Sequence, residues 1–444
     1  MSTLIRASLG TSLTLLVLSI ASPTAQAVPA FARQTGLPCQ SCHTVAPELT
    51  AFGRDFKLRG FVLSTLPKIE SKTSTPLSLN RMPAFAFEID LADTFTQTSQ
   101  PGTQNGDVQF PSKLKLFVAG ALGDNVGMFS YLEYTQPDDH FSIDLTDIRV
   151  VGSGEIAGKD AIYGLTINNA PTLEDPWNTL NVWSFPHVHS EVAPTPATAA
   201  LLGGTLADSG MVAGVGGYVL WDNHWYADIT LYRSAPTGAS QPLVKPGATE
   251  GLVPYARFAW QSTLGPDYLE LGASAIEAKF IQGISGAGAG GLDDRYRDVS
   301  ADAQFEHPVG DNLLTLHAAY IHEQQTLDSS FAAGLSNPSN SLNTLRADGT
   351  FLLRPFTAFS VGYFSTTGSR DALLYTAAPI TGSAGKPDSD GWILQVDFLP
   401  LQNIQLIAQY TLYDKFNGTR NNYDSAGRSA SDNNTLFLLA MFDF

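Results

Sequence analysis

Charge is what this 444-residue sequence has least of: Asp, Glu, Lys and Arg make up 15% of it, against about a quarter in ordinary soluble domains. Basic residues are the scarcer half, with 25 Lys and Arg against 42 Asp and Glu, a formal charge of −17. That excludes a nucleic-acid binder, whose phosphate contacts need clustered Lys and Arg. Long apolar runs are missing as well. Beyond the N-terminus nothing approaches the roughly 18 consecutive apolar residues of a spanning helix, which excludes a helical membrane protein. Cysteine occurs only at Cys39 and Cys42. What is plentiful is glycine, 39 residues, and aromatic surface, 25 Phe and 15 Tyr, in a chain that is 43% hydrophobic.

Residues 1–27 read as an export signal: Arg6 gives a weak positive start, Leu13 to Ile20 form a short apolar stretch, and Ala25-Gln26-Ala27 offers small residues for cleavage. The stretch is too short to span a bilayer. The exported chain begins near Val28, in a compartment where two cysteines could oxidise.

Their spacing points to other chemistry. Cys39-Gln40-Ser41-Cys42-His43 is C-x-x-C-H, the attachment signal of a c-type haem. Two thiols three positions apart reach the two vinyl groups of one haem, and His43 offers an imidazole to the iron. A redox-active C-x-x-C would want a βαβ surrounding and leaves His43 unexplained. Zinc would need two more ligands nearby, and the next histidine is His140. The expected cofactor is therefore one covalent haem c, held by Cys39, Cys42 and His43.

Residues 28–82 form the haem segment, too short to build a core of its own, so it must lean on another part of the chain. Residues 44–60 read as one short amphipathic helix, with Leu49, Phe52, Phe56 and Leu58 near one face and Gly60 as its stop. Met82 is the candidate sixth iron ligand, since a thioether raises the potential of an electron carrier. Water, a lumen histidine, or an open position are the alternatives.

From residue 83 to 444 the sequence alternates with period two in stretches of about ten residues. Phe85, Phe87, Ile89 and Leu91 alternate with Ala86, Glu88, Asp90 and Ala92. Strands are predicted at 83–97, 112–122, 125–135, 141–152, 160–168, 211–221, 224–233, 253–263, 268–279, 294–306, 312–323, 342–354, 356–367, 389–399, 402–415 and 432–444. Connections alternate between short turns and mostly longer loops, as in a bacterial outer-membrane barrel whose two ends lie in the periplasm. Leu436, Leu438, Ala440, Phe442 and Phe444 form an outward apolar row that would be an aggregation-prone edge without lipid. The fold class is therefore all-β: an antiparallel transmembrane β-barrel of about 16 strands with a small, mainly helical N-terminal segment filling its lumen.

Residues 31–60 carry a resemblance. Phe31-Ala32-Arg33-Gln34-Thr35-Gly36, the C-x-x-C-H run, then Pro47, Leu49-Thr50, Phe52-Gly53-Arg54, Phe56-Lys57-Leu58 and Gly60, followed by a barrel, resemble the fused outer-membrane cytochrome–porins of iron-oxidising bacteria. The resemblance implies a monohaem cytochrome that plugs the barrel and takes electrons from extracellular Fe(II). It carries over Cys39 and Cys42 as haem attachments and His43 as axial ligand. Beyond residue 60 the likeness is one of architecture only.

Several further residues bear on metal chemistry. Glu88, Asp90, Asp228, Glu270 and Asp397 are expected to face inward, where carboxylates attract a divalent cation, although a polar lining suits any water-filled barrel. The long connection 169–210 contains His187, His189 and Glu191, which alternate and would aim together from an extended backbone as a transient iron site. Two exposed histidines on a loop are the plainer reading. The resemblance implies that this third loop folds into the lumen.

Two functions follow as expectations. The first is an electron-transfer protein, a candidate Fe(II)-oxidising cytochrome, that passes electrons from an external donor through haem to a periplasmic carrier such as a soluble cytochrome. The second is a diffusion porin narrowed by a haem-bearing plug. Either one sits in outer-membrane lipid, as a monomeric barrel rather than a trimer.

Overall fold

The computed structural model describes residues 29–45, 47–63, 68–71, 77–80, 84–100, 105–180, 190–204, 206, 211–234, 247–355, 357–375 and 385–444. Sixteen antiparallel strands close into one barrel: β3 (Phe85–Thr96), β4 (Asp107–Ala121), β5 (Val126–Thr135), β6 (His140–Ile156), β7 (Lys159–Asn168), β8 (Val212–Trp221), β9 (Trp225–Ser234), β10 (Val253–Leu264), β11 (Asp267–Ile281), β12 (Asp293–Val309), β13 (Asn312–Leu327), β14 (Ser339–Leu353), β15 (Thr357–Gly368), β16 (Ser389–Leu401), β17 (Ile404–Lys415) and β18 (Thr435–Asp443). Each strand pairs with its neighbour in sequence, and β18 closes onto β3 from Thr435↔Thr96 to Asp443↔Glu88. Closure leaves no strand edge, which is why so much apolar β-sequence survives without aggregating. Before the barrel lies a small hairpin, β1 (Lys68–Ser71) and β2 (Leu77–Asn80), absent from the sequence reading.

All sixteen predicted strands are present; nine run longer than the alternation suggested, two match its length and five are shorter. The last shortens most: residues 430–433 form a 3-10 turn, and β18 starts only at Thr435. Along β3 exposure alternates without a break, with Phe85 and Phe87 outward and Ala86, Glu88 and Asp90 buried. The same rule places Leu165, Ile229 and Phe258 outside at 53–68% exposure. A belt of that kind is stable in hydrocarbon and unfavourable in water.

The N-terminal segment contains α1 (Pro29–Thr35), α2 (Cys39–Cys42) and α3 (Ala51–Leu58). The single helix expected over 44–60 is thus corrected to its second half. Residues 43–49 curl back instead, with His43 bridged to Leu49, and Pro47 has no N–H to continue a helix there. Thr50 then caps α3, its hydroxyl accepting from Gly53 N at 3.1 Å. Gly60, at φ +65°, ends the segment's helical run as expected.

This segment occupies the end of the barrel that carries the short turns. Arg33 donates to the carbonyls of Phe85 (2.6 Å) and Phe444 (3.1 Å), pinning the segment to the seam where the barrel closes. Gln34 reaches Ala119 O, and Gln40 reaches Pro355 O in the β14–β15 turn. Phe31 stacks on Phe61 and on Phe129 of β5, Phe61 also meets Phe129, and Phe56 meets Phe31 and Phe61 edge-on, with centroids 5.1–6.3 Å apart. The segment borrows its core from the wall, as its size required.

Candidate functional site

The C-x-x-C-H motif is held in one helical turn. Cys39 and Cys42 are both half-buried, with no disulfide between them, and Cys39 Sγ lies 3.3 Å from the carbonyl of Gln402 in the β16–β17 turn. His43 follows α2 in extended backbone, and its Nδ1 is 3.1 Å from Glu48 O. That bond selects the tautomer with the proton on Nδ1 and leaves Nε2 as the free donor atom, the arrangement an axial imidazole needs. Burial lowers the imidazole pKa, although the Glu48 bond opposes it, and so favours the neutral, ligating form. Burial also pushes the Cys42 thiol up to about 11. A redox dithiol needs the opposite shift, so the pair is poorly suited to thiol–disulfide exchange. Gly53 is required: a Cβ there would stand 2.2 Å from Cys42 O, so only glycine lets α3 back onto the motif. Two thiols, one oriented imidazole and this glycine fit a covalent c-type haem. Met82 lies outside the described residues, as do His187 and His189.

Above the segment, the connection between β7 and β8 crosses the lumen, as the resemblance implied. Leu173 O accepts from Arg149 of β6, Leu201 and Leu202 N donate to Asp298 of β12, Ala200 N to Glu323 of β13, and Ala197 and Pro194 carbonyls accept from Thr366 of β15 and Tyr413 of β17. Its Leu201, Leu202 and Leu206 are fully buried against wall residues such as Tyr232, Phe280 and Ile321, and Leu180 is fully buried as well. Glu191 is held 2.8 Å from Lys113, so a cation already compensates that carboxylate.

The loop and the segment touch. Lys57 Nζ donates to Asp175 O (2.9 Å) and Asn178 Oδ1 (3.2 Å), Asn178 Nδ2 donates to Pro47 O (3.1 Å), and Leu58 packs on Trp177. Burial, with Arg149 close by, lowers Lys57 to about 8 against the pull of Asp147, Asp175 and Glu174. A second tie is ionic. Arg257 of β10 meets Asp175 of the loop at 3.1 Å, Glu270 at 3.3 Å and Asp302 at 2.6 Å, with Trp177 over its guanidinium.

Glu88, Asp90, Asp228, Glu270 and Asp397 all face inward and are buried, as expected. They do not form one lining: Lys115 takes Glu88 and Asp90, Arg257 takes Glu270, Thr230 takes Asp228, and Gln395 and Gln405 take Asp397. Sequence reasoning missed a different group. Glu48, His317 and Asp348 converge with ligating atoms within 4.8 Å of one another, all buried. Burial, with Asp348 beside it, pushes the Glu48 carboxyl up to about 7, against His317 and the Thr44 and Thr350 hydroxyls. Alternation places His317 and Asp348 inward, but the β13–β14 connection is a long loop, so the register that sets them opposite each other was not legible.

No protein-family model and no curated protein sequence matches this chain. Among solved structures it is similar to the outer-membrane protein OmpT of Vibrio cholerae, at 13% identity over 81% of this chain and 97% of that one, with a TM-score of 0.45. It is similar also to the outer membrane channel DcaP of Acinetobacter baumannii, at 12% over 81% and 96%, TM-score 0.45. An anion-selective porin from Comamonas acidovorans matches at 12% over 81% and 98%, TM-score 0.45.

Proposed function

We propose that this chain is an outer-membrane electron-transfer protein. In this reading it carries one haem c on Cys39, Cys42 and His43, takes electrons from an extracellular donor, with Fe(II) as the expected one, and passes them to a periplasmic carrier. The observation that carries the reading is the filled lumen. Inward polar residues from several parts of the wall, such as Thr230, Glu323, Thr350 and Asp397, have no exposure at all, whereas a diffusion pore needs a wet lining. Among the described residues, the loop packs on the haem segment at Asp175, Trp177 and Asn178.

The chain's own residues do the positioning. Glu48 orients His43, Gly53 seats α3 against the motif, and Arg33 and Gln34 fix the segment at the turn end, where Cys39 lies beside the outermost turn residues. When bound, the haem supplies a one-electron couple whose potential follows its axial ligands and burial. The hydrocarbon layer is about 30 Å thick, so a single haem at the turn end stands within reach of a soluble carrier docked there. The resemblance of residues 31–60 to fused cytochrome–porins points the same way.

The second reading is a diffusion porin with a haem-bearing plug, favoured by the porin-like strand number. Stopped-flow absorbance of intact cells decides between them. External Fe(II) should bleach the oxidised haem, and purified protein in a planar bilayer should conduct no more than a background current. A haem that dithionite reduces but Fe(II) does not, together with stable channel openings, would establish the porin instead.

A further inference from the structure

A cluster of ligating side chains lies where the barrel wall meets the haem segment. His317 of β13 and Asp348 of β14 are direct cross-strand partners, both turned inward, and Glu48 meets them from the curl that follows the haem motif. His317 Nδ1 stands 3.2 Å from Asp348 Oδ2 and 3.6 Å from Glu48 Oε1. Two donor atoms each about 2.1 Å from a shared ion, at tetrahedral or octahedral angles, stand roughly 3.0–3.4 Å apart; the His317–Asp348 pair, a hydrogen bond in this structure, falls in that range, and the Glu48 oxygen stands just outside it. The 3.6 Å separation is also too long for a hydrogen bond.

Neighbouring groups hold the two carboxylates in place. Thr44 donates to Glu48 Oε2 and Thr350 to Oε1, while Arg346 Nε donates to Asp348 Oδ1 at 2.9 Å and leaves Oδ2 toward the cluster. Outer partners of this kind orient metal ligands. Two buried carboxylates share the one guanidinium of Arg346 there, a shortage of positive charge that a cation would offset. A protonated His317 would offset it too, and the experiment below separates the two.

We propose that Glu48, His317 and Asp348 bind a divalent first-row transition-metal ion and, resting on the electron-transfer reading above, that this is where a ferrous donor gives up its electron. One nitrogen and two carboxylate oxygens, with positions left open for water, suit Fe(II) or Mn(II). A ferrous ion held there would supply one electron, becoming Fe(III), and the haem that Cys39, Cys42 and His43 would hold would accept it. Glu48 would link the two sites, since its carboxylate belongs to the cluster and its carbonyl accepts from His43.

The test uses the full-length, haem-loaded, oxidised protein in lipid vesicles, with Mn(II) as the probe because ferric haem does not oxidise it. Electron paramagnetic resonance should count one bound Mn(II) per chain, with affinity lowered at least tenfold in His317→Gln and in Asp348→Asn. Glu133→Gln, at a buried carboxylate paired to Lys113 elsewhere in the barrel, should bind as the unaltered protein does. No Mn(II) uptake, or equal uptake by His317→Gln, overturns the site and leaves a protonated His317 as the explanation. Stopped-flow with limiting Fe(II) then tests the role: His317→Gln should be reduced at least tenfold more slowly, while dithionite reduces both forms alike. Equal Fe(II) rates would overturn the donor role and spare the electron-transfer reading. Failure of Fe(II) to reduce either form would overturn that reading, and the donor role with it, while the Mn(II) count judges the site on its own.

Discussion

Lys57 gives a direct test of how the haem segment is locked to the lumen loop. Its ammonium group is buried between α3 and the loop, with its pKa lowered from 10.5 to about 8. Between those values the unfolded chain holds a proton that the folded chain has released, so folding stability rises with pH across that window. At 1.36 kcal/mol per unit, a difference of about 2.5 units is worth about 3 kcal/mol by pH 10.5. The neutral amine keeps its bonds to Asp175 O and Asn178 Oδ1, so nothing offsets the gain. Tyrosines and other lysines titrate in the same range, and the informative quantity is therefore the difference between two proteins. Urea unfolding in lipid vesicles at pH 7, 8, 9 and 10, run on the unaltered chain and on Lys57→Met, should show their stabilities diverging by roughly 1 kcal/mol per unit above pH 8. Parallel curves would mean that Lys57 is solvated or already neutral, and the buried lock would be refuted.

Two further substitutions probe the same assembly. Arg257→Met strands Asp175, Glu270 and Asp302 without their shared cation; we expect a loss of about 3–5 kcal/mol in urea unfolding and, as the loop loosens, stable openings in a planar bilayer. Unchanged stability and a silent bilayer would count against the hub. Gly127→Ala on β5 places a Cβ 2.0 Å from Gly60 O, a backbone atom that cannot rotate away, so the segment must shift by about 1.5 Å to reach ordinary contact. Faster protease cleavage between residues 29 and 63 in vesicles is the expected outcome, and an unaltered rate would show that the segment does not rest there.

The barrel was legible because its code is local. Period-two alternation and turn residues specify each strand from its own ten or so residues, and up-and-down pairing follows once sequence neighbours pair. The C-x-x-C-H motif is local in the same way: five adjacent residues carry it, in the helical turn Cys39–Cys42 and the residue that follows. What the sequence did not yield is long-range. The 44–60 helix was overextended because apolar spacing at Leu49 and Phe52 mimics a helix face, while Pro47 and the backbone pairing of His43 with Leu49 decide otherwise. The Glu48–His317–Asp348 group needs a segment docked in the lumen and a register across a long loop, and the Arg257 hub draws on residues 175, 257, 270 and 302. Neither arrangement leaves a mark in any one stretch of chain.

The acidic balance of the sequence has a structural counterpart inside the barrel. Arg257 faces three carboxylates, Lys115 faces Glu88 and Asp90, Arg149 faces Asp147 and Glu174, and Arg346 shares its neighbourhood with Asp348 and Glu48. Around Arg257, Lys115 and Arg346 the acids named outnumber the base, while at Arg149 the buried Lys57 is a second cation. Filling a lumen requires nothing of the kind, since well-packed apolar side chains replace buried ion pairs at no loss of stability and often at a gain. Such an excess of buried acid carries a standing desolvation cost, and the cost makes physical sense where the interior must favour positive charge. On the proposed electron-transfer reading, a ferrous donor and a haem iron that gains a unit of positive charge on oxidation would be charges of that sign, whereas the same excess would repel an anion.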